Sequence, residues 1–249
     1  STLSGRAVLF RSLNNPNEKL VELVFAAKTA KQLGVHHLTL VAPYLAYMRQ
    51  DIAFVPGEVV SQRIIGDLLA ALFDAVITLD PHLHRVASLQ EAVPVKYAIN
   101  ISAAPILGDL VVQKRKNPFL IGPDEGSAQW VAQAAAKRHL DYAVATKTRL
   151  GDRSVDIALP LIDVKGRAAV LLDDIASSGH TLARAAELLL AAGASSVDVA
   201  VTHALFDSQA EVLIKKAGVG QVWSTDCIAH KSNAVSVMPA IAQALLTLS

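Results

Sequence analysis

An aliphatic run, Val170-Leu171-Leu172, ends in the adjacent acids Asp173 and Asp174 and continues through Ile175 and Ala176 to Ser177-Ser178-Gly179-His180-Thr181. Beyond it Leu182, Ala185, Ala186, Leu189 and Leu190 recur at helical spacing. A buried strand feeding a helix through small hydroxyl residues and a glycine is the layout of a phosphate cup. The first N–H groups of a helix lack intrahelical acceptors, the helix dipole is positive there, and the hydroxyls add donors. Such a cup suits a phosphomonoester, and the two acids before it suit ribose hydroxyls. The plain structural alternative is an Asp/Ser-rich helix cap. Adjacent carboxylates at a strand's C-terminal end repel and resist desolvation, which favours a ligand or cation that compensates them. A hydrolase triad of Ser177 or Ser178 with His180 and Asp174 lacks the Gly-x-Ser-x-Gly elbow such enzymes use.

Three further loops follow strand-like segments. Pro43-Tyr44-Leu45-Ala46-Tyr47-Met48-Arg49-Gln50-Asp51, with Pro56-Gly57-Glu58 after it, offers tyrosines for stacking on a base and an arginine for phosphates. A long capped connection with a surface salt bridge is the plainer reading. Asp80-Pro81-His82-Leu83-His84-Arg85 places two histidines after an acid, which reads either as a metal site or as unliganded surface histidines. Gly122-Pro123-Asp124-Glu125-Gly126-Ser127 brackets two acids with glycines just before a helix, a geometry suited to magnesium-pyrophosphate or to a simple N-cap. Finally, Lys147-Thr148-Arg149 and Arg153 put three cations on a polar excursion between strands.

Alternating strand-like and helix-like segments position these loops. Ala7 to Phe10, Lys19 to Leu33, His37 to Val41, Val59 to Phe73 and Ala75 to Leu79 read as βαβαβ, hence a parallel sheet. After Pro105 the pattern restarts: a helix near Ile106 to Val112, a strand at Phe119 to Ile121, a helix from Ser127 to His139 and a strand at Tyr142 to Ala145. Val155 to Leu159 and Ala168 to Leu172 then read as a hairpin-like pair. The helix Leu182 to Ala192, the strand Val197 to Thr202, the helix Gln209 to Ala217, a short strand near Val222 and a helix Ala240 to Leu246 complete the series. The expected architecture is α/β, with two lobes meeting near Tyr97 to Ala104 and ligands in a cleft between them. Trp130 and Trp223 lie on apolar segments and read as core or interface.

The 249 residues are 52% hydrophobic, enough for a packed core, and 23 basic against 22 acidic side chains leave a formal charge of +1. That balance argues against a nucleic-acid surface, so any anion site must be local. The single cysteine, Cys227, excludes an internal disulfide and fits a cytoplasmic protein with a structural thiol. Every apolar run is broken well before the ~18–20 residues of a membrane span, and no signal peptide opens the sequence.

The Asp173 to Thr181 stretch resembles the ribose-phosphate loop of the type I phosphoribosyltransferase fold, with His180 where glycine is usual. The Pro43 to Asp51 motif with Pro56-Gly57-Glu58 is similar to the ATP-binding stretch of ribose-phosphate diphosphokinases, the PRPP synthetases. Asp80-x-His82 resembles their Asp-x-His, and Gly122 to Ser127 their Ser-Pro-Asp-x-Gly-Gly pyrophosphate loop, with Gly122 in place of its serine and Ser127 of its second glycine. Lys147-x-Arg149 resembles the cations of their mobile catalytic loop. The five motifs occur in family order over almost the whole chain, and wording such as Lys-Thr-Arg resembles an archaeal-like or divergent bacterial branch.

The resemblance implies two similar type I phosphoribosyltransferase-like lobes, each a mainly parallel sheet flanked by helices: 1–100, joined by the helix 238–249, and 101–237. It implies ATP at Arg49, Gln50 and Asp51; ribose 5-phosphate at Asp173, Asp174, Ser177, Ser178, Gly179, His180 and Thr181; Mg2+ at His82 and Asp124; and catalytic roles for Lys147 and Arg149. A homo-oligomer is implied as well, with neither nucleic acid nor membrane as partner. Family members begin with about one more strand-helix unit and a Phe-x-Asp-Gly-Glu hairpin, which nothing before Arg6 to Phe10 resembles. That departure is read as a shortened chain or a reduced paralogue, and it leaves open a non-catalytic nucleotide-binding relative or, less compatibly with the Arg49 and His82 motifs, a phosphoribosyltransferase.

Overall fold

The structure is a computed structural model that describes residues 5–83, 85–149 and 155–248; of the side chains at 147–149, 155 and 156 nothing is said. It divides into two compact units, 1–101 with 238–249 and 102–237.

In the first unit β1 (Gly5–Phe10), β2 (Val35–Val41), β3 (Ala75–Leu79) and β4 (Tyr97–Ile101) form a parallel sheet in the order β1-β2-β3-β4. Helices α1 (Pro16–Gln32), α2 (Ser61–Leu72) and the short α3 (Leu89–Ala92) make the crossovers that parallel pairing demands. Every residue of β3 is buried, as its unbroken Ala-Val-Ile-Thr-Leu run foretells. Leu20, Leu23 and Ala27 of α1 share a core with Leu38, Leu40, Leu69 and Val76. The strand β4 falls where the sequence suggested only a junction.

The second unit carries a six-stranded parallel sheet among its described residues, in the order β12-β11-β10-β9-β5-β6. These strands are β5 (Phe119–Gly122), β6 (Tyr142–Val144), β9 (Ala168–Ala176), β10 (Ser196–Ala204), β11 (Val219–Thr225) and β12 (Asn233–Val235). Alternate side chains leave opposite faces. Leu171, Ile121 and Val199 pack with Leu182, Ala186 and Leu189 of α6 (His180–Ala191) and Ile214 of α7 (Ser208–Lys216). Leu172, Leu120 and Ala200 face the other way, onto Leu107 and Val111 of α4 (Ala104–Lys114) and Trp130 and Val131 of α5 (Ala128–Ala136). Both tryptophans are core residues, and Cys227 is buried and not in a disulfide. Gly108 allows α4 to approach α5 closely: a Cβ there would lie 2.2 Å from the Ala134 carbonyl oxygen.

One expectation is overturned. β8 (Val155–Ala158) does not form a hairpin with the Ala168 strand; it pairs antiparallel with β7 (Thr146–Arg149) in a separate ribbon, and β9 lies between β10 and β5. The reason is packing: Val170, Leu171 and Leu172 are fully buried and need covered neighbours on both sides, which an edge ribbon does not provide. Ile157 fastens the ribbon to the same core as Leu182. Among the described residues no helix is long and apolar enough to cross a membrane.

Candidate functional site

At the C-terminal end of β9 the chain passes from the buried run Ala169 to Leu172 into exposed Ser177 and Ser178 within five residues of Asp173. Gly179 makes the turn possible, with φ 76° and ψ −5°, immediately before α6. A Cβ at this position would stand 3.0 Å from Ile214 Cγ2 and 3.3 Å from the Ala210 carbonyl oxygen, so both its left-handed backbone and its surroundings call for glycine. The first turn of α6 carries no acidic side chain to offset the helix dipole. His180 is exposed, its Nδ1 lying 3.4 Å from the Ser178 carbonyl oxygen, and Thr181 is half-buried. The cup residues are thus assembled at one helix N-terminus, as the sequence predicts.

Asp174 is buried, while Asp173 is half-buried and its Oδ1 accepts the Asp174 backbone N–H at 2.9 Å. Burial first, then the like charges of Asp174 and Asp124, push the Asp173 carboxyl well above the usual carboxylate range. Asp124 reaches it because β5 and β9 are neighbours, with Ile121 opposite Leu171, so the loop after Gly122 opens beside Asp173. Within that loop Ser127 is wholly buried, and its Oγ donates to the Asp124 carbonyl oxygen at 2.6 Å. The same Oγ would lie 2.4 Å from a Cβ at Gly122. The hydroxyl that the resembled loop carries on its first residue is supplied here by its last, with glycine making room.

The three acids bring like charge together, and partly desolvated oxygen donors of this kind fit a hard divalent cation such as magnesium. Among the described residues, no group of three or more histidine, cysteine or acidic side chains is arranged to hold a metal by itself. Substrate phosphate oxygens and water would have to complete any coordination sphere.

In the first unit Arg49 is exposed and Gln50 half-buried, whereas Asp51 is buried and bound to Arg85. The loop is held from below: the Gln62 backbone N–H donates to the Gln50 carbonyl at 3.2 Å and its side-chain Nε2 to the Met48 carbonyl at 2.9 Å. Glu58 accepts the backbone N–H groups of Phe54 and Val55 at 2.6 and 3.4 Å, and the Phe54 bond leads the causes that lower its pKa. Tyr44 and Tyr47 are half-buried against the core, and the Tyr47 hydroxyl donates to Asn17. His82 is half-buried on a turn in which it and Asp80 have positive φ, 55° and 36°.

Lys147 and Arg149 occupy β7, but their side chains, like His84 and Arg153 altogether, lie outside the described residues. Arg85 is the residue whose part the sequence did not disclose; the one hint was an uncommitted cation just past Asp80-x-His82.

Residues 3–72 match a family model described as the N-terminal domain of ribose phosphate pyrophosphokinase, and residues 89–230 match the phosphoribosyl transferase domain. The ribose-phosphate pyrophosphokinase of Methanopyrus kandleri is 35% identical across 99% of this chain and 84% of that protein. A protein so named from Methanosarcina acetivorans is 34% identical across 91% of this chain and 76% of its own length. The crystal structure of phosphoribosylpyrophosphate synthetase from Mycobacterium smegmatis superposes with a TM-score of 0.81 at 23% identity, covering 98% of this chain and 81% of that one, and so shares its fold.

Proposed function

Because the chain belongs to the ribose-phosphate pyrophosphokinase family, we propose that it transfers the β,γ-diphosphate of ATP to the anomeric oxygen of ribose 5-phosphate, giving PRPP and AMP. The observation that carries this reading is the match of residues 3–72 to the N-terminal domain of ribose phosphate pyrophosphokinase in a chain whose second unit bears the Asp173 cup. The cup alone accommodates either the making or the use of PRPP; an enzyme that only uses PRPP has no need of that first domain.

In this reading the α6 N-terminus, Ser177, Ser178 and Thr181 hold the 5-phosphate, and Asp173 and Asp174 accept hydrogen bonds from the ribose ring hydroxyls. Arg49 and Gln50 bind the nucleotide. The anomeric hydroxyl oxygen attacks the β-phosphorus in line, the bond from that phosphorus to the oxygen bridging to the α-phosphate breaks, the hydroxyl proton is lost, and AMP leaves. No side chain forms a covalent intermediate. Lys147 and Arg149 offset charge moving from the attacking to the leaving oxygen, the main lever in phosphoryl-type transfer. His82 and Asp124, the latter beside Asp173 and Asp174, would hold Mg2+, which when bound neutralises phosphate charge.

Formation of AMP and PRPP from MgATP and ribose 5-phosphate, followed by ion-exchange chromatography, tests the reaction; ATP and ribose 5-phosphate left unconsumed by the folded protein would sink it. The resemblance further supports a cytoplasmic homo-oligomer, and a monomer in sedimentation analysis would count against that assembly.

A further inference from the structure

Asp51 belongs by position to the Arg49-Gln50-Asp51 motif, yet its carboxylate is committed to the neighbouring loop. One oxygen accepts Nη1 of Arg85 at 2.7 Å and the other accepts the Arg85 backbone N–H at 3.2 Å. The acid is buried, with 2% of its side chain exposed against 52% for Arg85, whose guanidinium also lies 5.7 Å over the Phe54 ring. A two-point bond to both the backbone and the side chain of one residue fixes where the chain runs as well as where a charge lies.

The segment just before Arg85 is strained. Asp80 and His82 both lie in the left-handed region, at φ 36° and 55°, on either side of Pro81. Non-glycine residues stay there only when surrounding contacts impose it. The start of the turn is tied by the Leu79 N–H to the Pro43 carbonyl at 3.3 Å and by the Asp80 N–H to the Ile101 carbonyl at 3.1 Å. Asp51 ties its end.

We propose that Asp51 is a positioning residue that clamps Arg85 and thereby holds the strained turn at Asp80 and His82 in the shape used for the nucleotide phosphates, without itself touching the nucleotide. The idea rests on the reading that MgATP binds through this unit. Wild-type protein assayed in parallel separates the two, since an inactive wild type speaks against the reaction and leaves the clamp to be judged by exchange.

The test combines kinetics with hydrogen exchange on the full chain. In the ligand-free protein, Asp51→Leu keeps the branch at Cγ but removes both acceptors, and the amides of 80–87 should exchange at least about tenfold faster than in wild type. Arg85→Met keeps the backbone bond but loses the guanidinium, so it should exchange at an intermediate rate while the rest of the unit stays protected. Each single substitution should lower kcat about tenfold to a hundredfold, since small misplacements carry penalties of that size. The double variant should be no worse than Asp51→Leu, and Arg85→Lys should recover part of the Arg85→Met loss. Unchanged exchange in 80–87 would overturn the clamp. So would an Asp51 effect on KM for MgATP that is equally large with and without the Arg85 side chain, because that is the signature of a direct nucleotide ligand.

Discussion

Exchanging the two ends of the 122–127 loop gives a sharp test of how it is built. In Gly122→Ser the new Cβ would lie 2.4 Å from Ser127 Oγ, an atom that is wholly buried and already bonded to the Asp124 carbonyl at 2.6 Å. Forced displacement in a packed site costs about 1–3 kcal/mol. Breaking the Ser127 bond adds about 0.5–1.5 kcal/mol, so the single variant should lose roughly 2–4 kcal/mol. Ser127→Gly alone removes the bond and frees the backbone, for about 1–2 kcal/mol. The double exchange lifts the clash and returns a hydroxyl to the vacated space. It should therefore be more stable than Gly122→Ser by at least about 1 kcal/mol, equivalent to about 2–4 °C in a chain of this size. Differential scanning calorimetry of the three variants measures the coupling, and PRPP formation reports whether Asp124 regains its position. A Gly122→Ser protein that melts with the wild type, or a double variant no better than it, would show that the two positions are independent.

Two other substitutions probe the chemistry. Asp173→Asn should stabilise the ligand-free protein while lowering activity. The raised folded pKa means that the native state holds its proton to higher pH than the unfolded chain, so its contribution is most favourable below the ordinary carboxylate pKa and declines as pH rises towards the folded value. The stability gap between Asp173→Asn and wild type should accordingly widen from acid to neutral pH in urea titrations; a gap independent of pH would refute the assigned cause. Lys147→Ala should depress turnover by about 10²–10³, as loss of one preorganised transition-state donor does, with a much smaller change in nucleotide binding. Lost affinity with unchanged turnover would assign Lys147 to ground-state binding.

The features legible in the sequence are those encoded locally. The aliphatic run before Asp173, the small residues after it and the helical spacing from Leu182 specify strand, turn and helix without reference to the rest of the chain, and Gly179 marks the one left-handed position. Pairing is another matter. Val155 to Ala158 and Ala168 to Leu172 are close in sequence and both strand-like, but their partners were chosen by burial: β9 needs cover on both sides, and β8 finds Thr146 to Arg149 behind it. Strand β4 escaped notice because its exposed Tyr97 and Asn100 break the apolar run expected of a parallel strand, which at a sheet edge they are free to do. The Asp51–Arg85 bond joins residues 34 apart on successive loops, and no periodicity records it.

The helix Met238–Leu246, α8, lies against β3 and β4, with Ile241 buried. The first unit is therefore interrupted: all of 102–237 must leave the ribosome before its sheet receives that helix. During synthesis the second unit can finish its core while the first still exposes part of β3 and β4. A lesion in α8 should thus act at a distance in sequence, loosening the first unit while leaving the second able to fold, and the hazard for the growing chain is a wait rather than a weak contact.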